Sequence, residues 1–187
     1  MTSTKFIAIL PQPTQAGDKI KISGKITDNA EEFSINFANE VNEDPQSIAY
    51  HFKWDLANKT IVEDYKEDSN WMDRIDTKLD AFNGRLKNSL MHSNKAFNDN
   101  INSDFLGAKS LANTADASIN CNSYFLLGPE FTLEFSFLQD DICVYLIGED
   151  GPNYVSQYQP KSDFQCIESV QVWGDVEKIS QLTFSYN

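Results

Sequence analysis

Ile48-Ala49-Tyr50-His51-Phe52-Lys53-Trp54-Asp55 is the stretch that decides the fold. Ile48, Tyr50, Phe52 and Trp54 alternate with Ala49, His51, Lys53 and Asp55. Successive side chains of a β-strand point to opposite faces, so this spacing sends four large apolar groups one way and three polar groups the other. In a two-sheet sandwich each strand buries one face and wets the other. The wet face of this strand is where a binding site can be built without disturbing the core, and His51, Lys53 and Asp55 are its first candidates.

The same alternation recurs on both sides of this stretch. Ile20, Ile22 and Ile26 share one face of Lys19–Ile26, and Phe33, Ile35 and Phe37 alternate with Ser34 and Asn36. Phe131, Leu133, Phe135 and Phe137 alternate with Thr132, Glu134 and Ser136. Further strands are expected at Ile142–Ile147, Val155–Tyr158, Ile167–Trp173 and Ile179–Tyr186. Turn residues separate the runs at Asp28-Asn29, Glu43-Asp44-Pro45, Gln139-Asp140-Asp141, Gly151-Pro152-Asn153 and Gly174-Asp175. Many short strands with regular turns predict an all-β sandwich or barrel.

Residues 77–123 break the pattern, with nine Asn, six Ser and no Pro. Ile75, Leu79, Phe82, Leu86 and Leu90 fall at steps of four, three, four and four, which predicts an amphipathic helix over about residues 75–91, followed by a mostly polar loop. Trp71 lies four residues before Ile75 and fits that helical stripe, while alternation within Trp71–Leu79 fits a strand about as well; a strand is expected through about Asp76, with the helix belonging to the inserted segment. The chain as a whole, residues 1–187, is expected to be one domain with 77–123 as an insertion.

A formal charge of −13 opposes both nucleic-acid phosphates and an anionic membrane leaflet, so neither is expected as a partner. No apolar run is long enough to span a bilayer, so no membrane insertion is expected. Three cysteines without a CxxC pair, and only two histidines, give no metal-site spacing; neither metal nor cofactor is expected. The unpaired cysteine pattern and the short apolar run at Phe6–Leu10 point to a cytoplasmic protein, with any export proceeding without a signal peptide. There is no Gly-rich phosphate loop, GxSxG elbow or HExxH pair, and no spacing selects a carboxylate pair, so no catalytic residues are assigned.

Several segments, taken together, carry a resemblance. They are Ile9-Leu10-Pro11-Gln12-Pro13 through Gly17-Asp18-Lys19-Ile20-Lys21-Ile22-Ser23-Gly24, then Phe33–Phe37, Ile48–Phe52, Ile61-Val62 and Trp71, then Leu127–Phe135 and Val170–Val176. In order and spacing they resemble the galectin carbohydrate-recognition domain. The resemblance implies a two-sheet antiparallel jelly roll, a metal-free lectin, and glycans or glycoproteins as partners. It also implies a homodimer through edge strands.

The family pattern keeps His51 and Trp71 here. Lys53 stands where it has an asparagine, Asp55 an arginine, Asp64 a second asparagine, Arg74 a glutamate and Asp76 a second arginine. The resemblance thus implies a carbohydrate site of His51, Lys53, Asp55, Asp64, Trp71, Arg74 and Asp76 with three charges inverted, in which Arg74 would sit between two carboxylates. A hydroxyl both donates and accepts, so a site of inverted polarity still suits a sugar. The alternative expectation is an interaction module that has lost galactoside binding and meets a protein partner through residues 77–123.

Overall fold

The computed structural model describes residues 4–79 and 128–187. The chain divides into two units, Met1–Leu79 with Leu127–Asn187, and Asp80–Leu126; the second lies outside the described residues, and with it most of the expected helix and polar loop.

The first unit is a sandwich of two antiparallel sheets. One contains β1 (Thr4–Ile9), β3 (Glu32–Ala38), β4 (Ile48–Asp55), β5 (Thr60–Glu67), β6 (Asn70–Trp71), β7 (Ile75–Lys78) and β11 (Ser169–Gly174). Its order is β1-β11-β3-β4-β5, with β6 and β7 both on the far edge of β5. The other sheet runs in the order β10 (Gly151–Tyr158), β9 (Ile142–Gly148), β8 (Glu130–Phe137), β2 (Lys19–Ile26), β12 (Val176–Ser185).

The alternation read from the sequence becomes the core. Phe33, Phe37, Tyr50, Phe52 and Trp54 project from the first sheet, and Phe131, Phe135, Phe137 and Tyr158 meet them from the second. Ring centroids stand 4.9 Å apart for Phe33–Phe131 and Phe37–Phe135, and 4.8 Å for Tyr50–Tyr158. Burying each such side chain contributes about 1.5–3 kcal/mol, and edge-on or offset ring pairs add to that.

Two glycines are required by close approach. At Gly24 a β-carbon would lie 2.7 Å from the Lys178 carbonyl oxygen of β12. Gly174 has φ +90° and a β-carbon there would lie 2.7 Å from the Glu32 carbonyl oxygen, so it holds the end of β11 against the start of β3.

Three expectations are corrected. Ile75–Lys78 is strand β7, paired with Thr60–Glu63, so no helix begins at residue 75. The open edge of β5 offers a ladder of backbone groups, and positions 75, 77 and 79 share a strand face as readily as 75 and 79 share a helical stripe. The strand also runs through Lys78, so the first two residues of the expected insertion belong to the sheet. Gly151-Pro152-Asn153 opens β10 instead of forming a turn; Pro152 is tolerated because β10 is an edge strand.

Candidate functional site

The polar face of the longer sheet is built by register. Asn36 of β3 lies opposite His51 of β4, and His51 opposite Asp64 of β5. In the next row Trp173 of β11 lies opposite Ser34, Ser34 opposite Lys53, and Lys53 opposite Val62. Over these rows runs a groove of about 420 Å³, within the range of small-molecule sites, lined by Glu32, Phe33, Ser34, His51, Lys53, Val62, Asp64, Trp71, Met72, Arg74 and Trp173.

Five of the seven residues expected at the site line this groove: His51, Lys53, Asp64, Trp71 and Arg74. Asp55 is occupied elsewhere. Its carboxylate accepts from the backbone N–H and the side-chain Nδ2 of Asn58 at 2.9 and 3.0 Å, closing the turn between β4 and β5. Burial pushes its pKa up, but the Asn58 bonds outweigh that and hold the carboxyl below its ordinary value. Asp76 is drawn to Arg74, whose Nε and Nη2 donate to its two oxygens at 2.8 and 3.2 Å. The expected arrangement of Arg74 between two carboxylates therefore reduces to one bidentate pair on an exposed surface.

His51 is buried, and burial first, then the nearby Lys53 and Arg74 charges, lower its pKa to about 3. The imidazole is neutral at physiological pH. Its Nδ1 lies 2.5 Å from Asn36 Oδ1. The Asn36 amide nitrogen is engaged with Ser34 Oγ at 3.3 Å, which leaves Oδ1 as acceptor for an Nδ1–H donor. That tautomer makes Nε2 a hydrogen-bond acceptor.

Asp64 shapes the edge of the groove. Its Oδ1 accepts from the backbone N–H groups of Tyr65 and Asp73 at 2.8 Å and of Met72 at 3.3 Å. β6 and β7 are two pieces of one edge strand, and this carboxylate captures the amides of the break between them. Trp71 stands just before the break and Arg74 is the break's last residue. Left-handed turns at Asp68 and Ser69, with φ 48° and 68°, return the chain from β5 to Trp71.

Trp71 is 45% exposed and stands 4.6 Å from the His51 ring, centroid to centroid. Lys66 Nζ lies 6.0 Å from its ring centroid. Lys53 is paired with Glu32. Glu32, Ser34, Met72 and Trp173 were not assigned from sequence. The alternation of β3 already put Glu32 and Ser34 on the polar face; what was missing was the β3–β4 register that sets them beside Lys53. Among the described residues no group of three or more His, Cys, Asp or Glu is arranged to hold a metal ion.

A jelly-roll sandwich with a polar groove on one sheet, walled by a histidine and a half-exposed tryptophan, is a lectin domain of the galectin type. The chain belongs to the galactoside-binding lectin family, whose model matches residues 5–184. No curated protein matches it in sequence. Among solved structures it is similar to chicken galectin-2, at 19% identity and TM-score 0.62 over 97% of this chain and 99% of that one. A doubly substituted human galectin-16 matches at 16% identity and TM-score 0.62 over 97% and 95%. Sheep galectin-11 in complex with glycerol matches at 12% identity and TM-score 0.61 over 96% of each chain. At these identities the structural likeness speaks for the fold.

Proposed function

We propose that this galectin domain binds a glycan, free or on a glycoprotein, in the groove between Trp71 and Trp173, with no metal or cofactor and through an altered set of polar contacts. The observation that carries this reading is the half-exposed indole of Trp71 set 4.6 Å from a neutral His51. An aromatic face covers the apolar side of a sugar ring, and the imidazole acceptor beside it takes a hydroxyl proton. Lys53 and Arg74 add donors, and Ser34 a group that does either.

The departures from the family pattern change which groups reach the sugar. Asp55 is committed to the turn at Asn58 and Asp64 to backbone amides, so the carboxylates at these two positions act on the protein more than on a ligand. A galactoside preference is therefore not carried over from the family.

A glycan array probed with the whole chain, with and without a chelator, tests the proposal. Binding that survives the chelator and is lost in Trp71→Ala is the expected result. A blank array for the unmodified chain would favour the second reading, an interaction module without sugar binding. One observation favours that reading: both groove cations already have carboxylate partners, Lys53 with Glu32 and Arg74 with Asp76.

Cys143 and Cys166 are free thiols, which supports residence in a reducing compartment such as the cytoplasm. β1 and β12 are edge strands, which supports pairing between copies of the chain. No helix among the described residues is long and apolar enough to cross a membrane.

A further inference from the structure

We infer that Trp173 closes the groove at its β11 end, so that the site takes the terminal unit of a glycan and rejects the same unit when the chain continues in that direction. The inference rests on the carbohydrate reading above and goes beyond it by assigning a specificity-determining residue.

The row Trp173–Ser34–Lys53–Val62 crosses the sheet, so the indole rises on the same face as Lys53 and Trp71. Both tryptophans line the groove, but they differ in how they are held. Trp71 is 45% exposed and Met72 beside it 50%, whereas Trp173 is 9% exposed. A platform for a sugar has to be open on one face; a wall does not.

Trp173 is also anchored from behind. Its Nε1–H donates to Gln171 Oε1 at 3.0 Å. Gln171, itself fully buried, donates through Nε2 to the Asn42 carbonyl at 2.9 Å and lies 3.3 Å from Ser169 Oγ. Ser169 Oγ donates to the Glu40 carbonyl at 2.6 Å. The β3–β4 loop is thereby tied down over the polar face beyond Asn36. Trp173 shares a buried apolar cluster with Ala38 and Ile48 at that margin. An indole fixed on its far side by a bonded amide, and packed against aliphatic groups, does not swing aside for an incoming ring without leaving Gln171 Oε1 without its donor in a buried place.

The groove is therefore bounded at β11 and open at the β6–β7 edge. A glycan seated on Trp71 and His51 has an exit past Met72, and none past Trp173.

The test uses an array in which each disaccharide is printed in three forms: alone, extended by one neutral hexose at the non-reducing end, and extended by one hexose at the reducing end. For the unmodified chain, extension at one end is expected to weaken binding at least tenfold, and extension at the other end to leave it within about threefold. Trp173→Ser is expected to bring the rejected form within about threefold of its parent, with Trp173→Phe intermediate. Thermal melts establish that each variant is folded, and Trp173→Phe carries the test should the serine variant fail to fold. Equal tolerance of both extensions by the unmodified chain overturns the inference, as does rejection that persists in folded variants. Failure of the unmodified chain to bind any parent disaccharide overturns the carbohydrate reading itself, and the inference with it.

Discussion

The rings of His51 and Trp71 lie 4.6 Å apart at an interplanar angle of 52°, one from a central strand and one from the broken edge strand of the same sheet. The tilt leaves the indole partly open while shielding the imidazole, which keeps the acceptor neutral. Trp71→Ala is therefore expected to abolish a binding surface and leave the fold alone. Glycan affinity should fall at least tenfold, about 1.4 kcal/mol or more, as read by titration with the best array ligand. The melting temperature should move little, because a half-exposed side chain at a sheet edge contributes little to the core. A large drop in melting temperature with unchanged affinity would reverse these roles.

Asp64 gives the complementary case, in which affinity and stability fall together. One of its two carboxylate oxygens, Oδ1, accepts three backbone N–H groups, and hydrogen bonds to a charged acceptor contribute about 1.5–3 kcal/mol. Asp64→Ala is expected to destabilise the domain by about 2–4 kcal/mol in denaturant titration and to loosen both Trp71 and Arg74, weakening glycan binding as well. Asp64→Asn keeps a carbonyl acceptor and should lie between the two. An alanine variant as stable as the unmodified chain would show that the strand break holds without this carboxylate.

The sandwich was legible because a period of two is a property of neighbours in sequence: Phe33, Ile35 and Phe37 declare their face within five residues, as do Tyr50, Phe52 and Trp54. The groove was legible where one strand supplied it, at His51 and Lys53. Trp71 and Arg74 came from the family frame, because residues 71–79 suit a strand and a helix alike. What decided between them was the open edge of β5, a long-range partner that no local pattern carries. The commitments of Asp55 to Asn58 and of Asp64 to backbone amides were hidden for a related reason: a carboxylate in a strand reads as a candidate contact until the turn or break beside it is placed. Trp173 gave no signal at all, since a tryptophan in an apolar strand reads as core until the β11–β3 register puts it beside Ser34.

Glu63 sits in the core between the sheets, where Tyr50 Oη–H donates to its Oε1 at 2.6 Å. Burial raises its pKa above the ordinary carboxylate value, against the opposing effect of the Tyr50 bond. The folded state then holds a proton that the unfolded state has released, so this group's contribution to stability is present below the ordinary value and lost as pH rises through the raised one. Glu63→Gln keeps the acceptor for Tyr50 and removes the titration. Melting temperatures of the two proteins should diverge as pH is raised from 4 to 8, the glutamine variant losing less. Parallel curves would remove Glu63 from the account.

His51 acts at the other end of the pH range. Its folded pKa of about 3 lies below the ordinary value of 6.5, so between these limits the unfolded state binds the extra proton. The stability it contributes is fully present above about pH 6.5 and declines as pH falls toward 3, at up to about 1.4 kcal/mol per pH unit. His51→Gln, which keeps a donor for Asn36 Oδ1, should flatten this part of the stability curve relative to the unmodified chain. Glycan affinity of the unmodified chain should meanwhile stay constant from pH 8 to pH 5, because the acceptor nitrogen remains unprotonated throughout. An affinity that falls with an apparent pKa near 6 would mean that the imidazole titrates in the folded protein, and that the Asn36 bond and its burial do not hold it neutral.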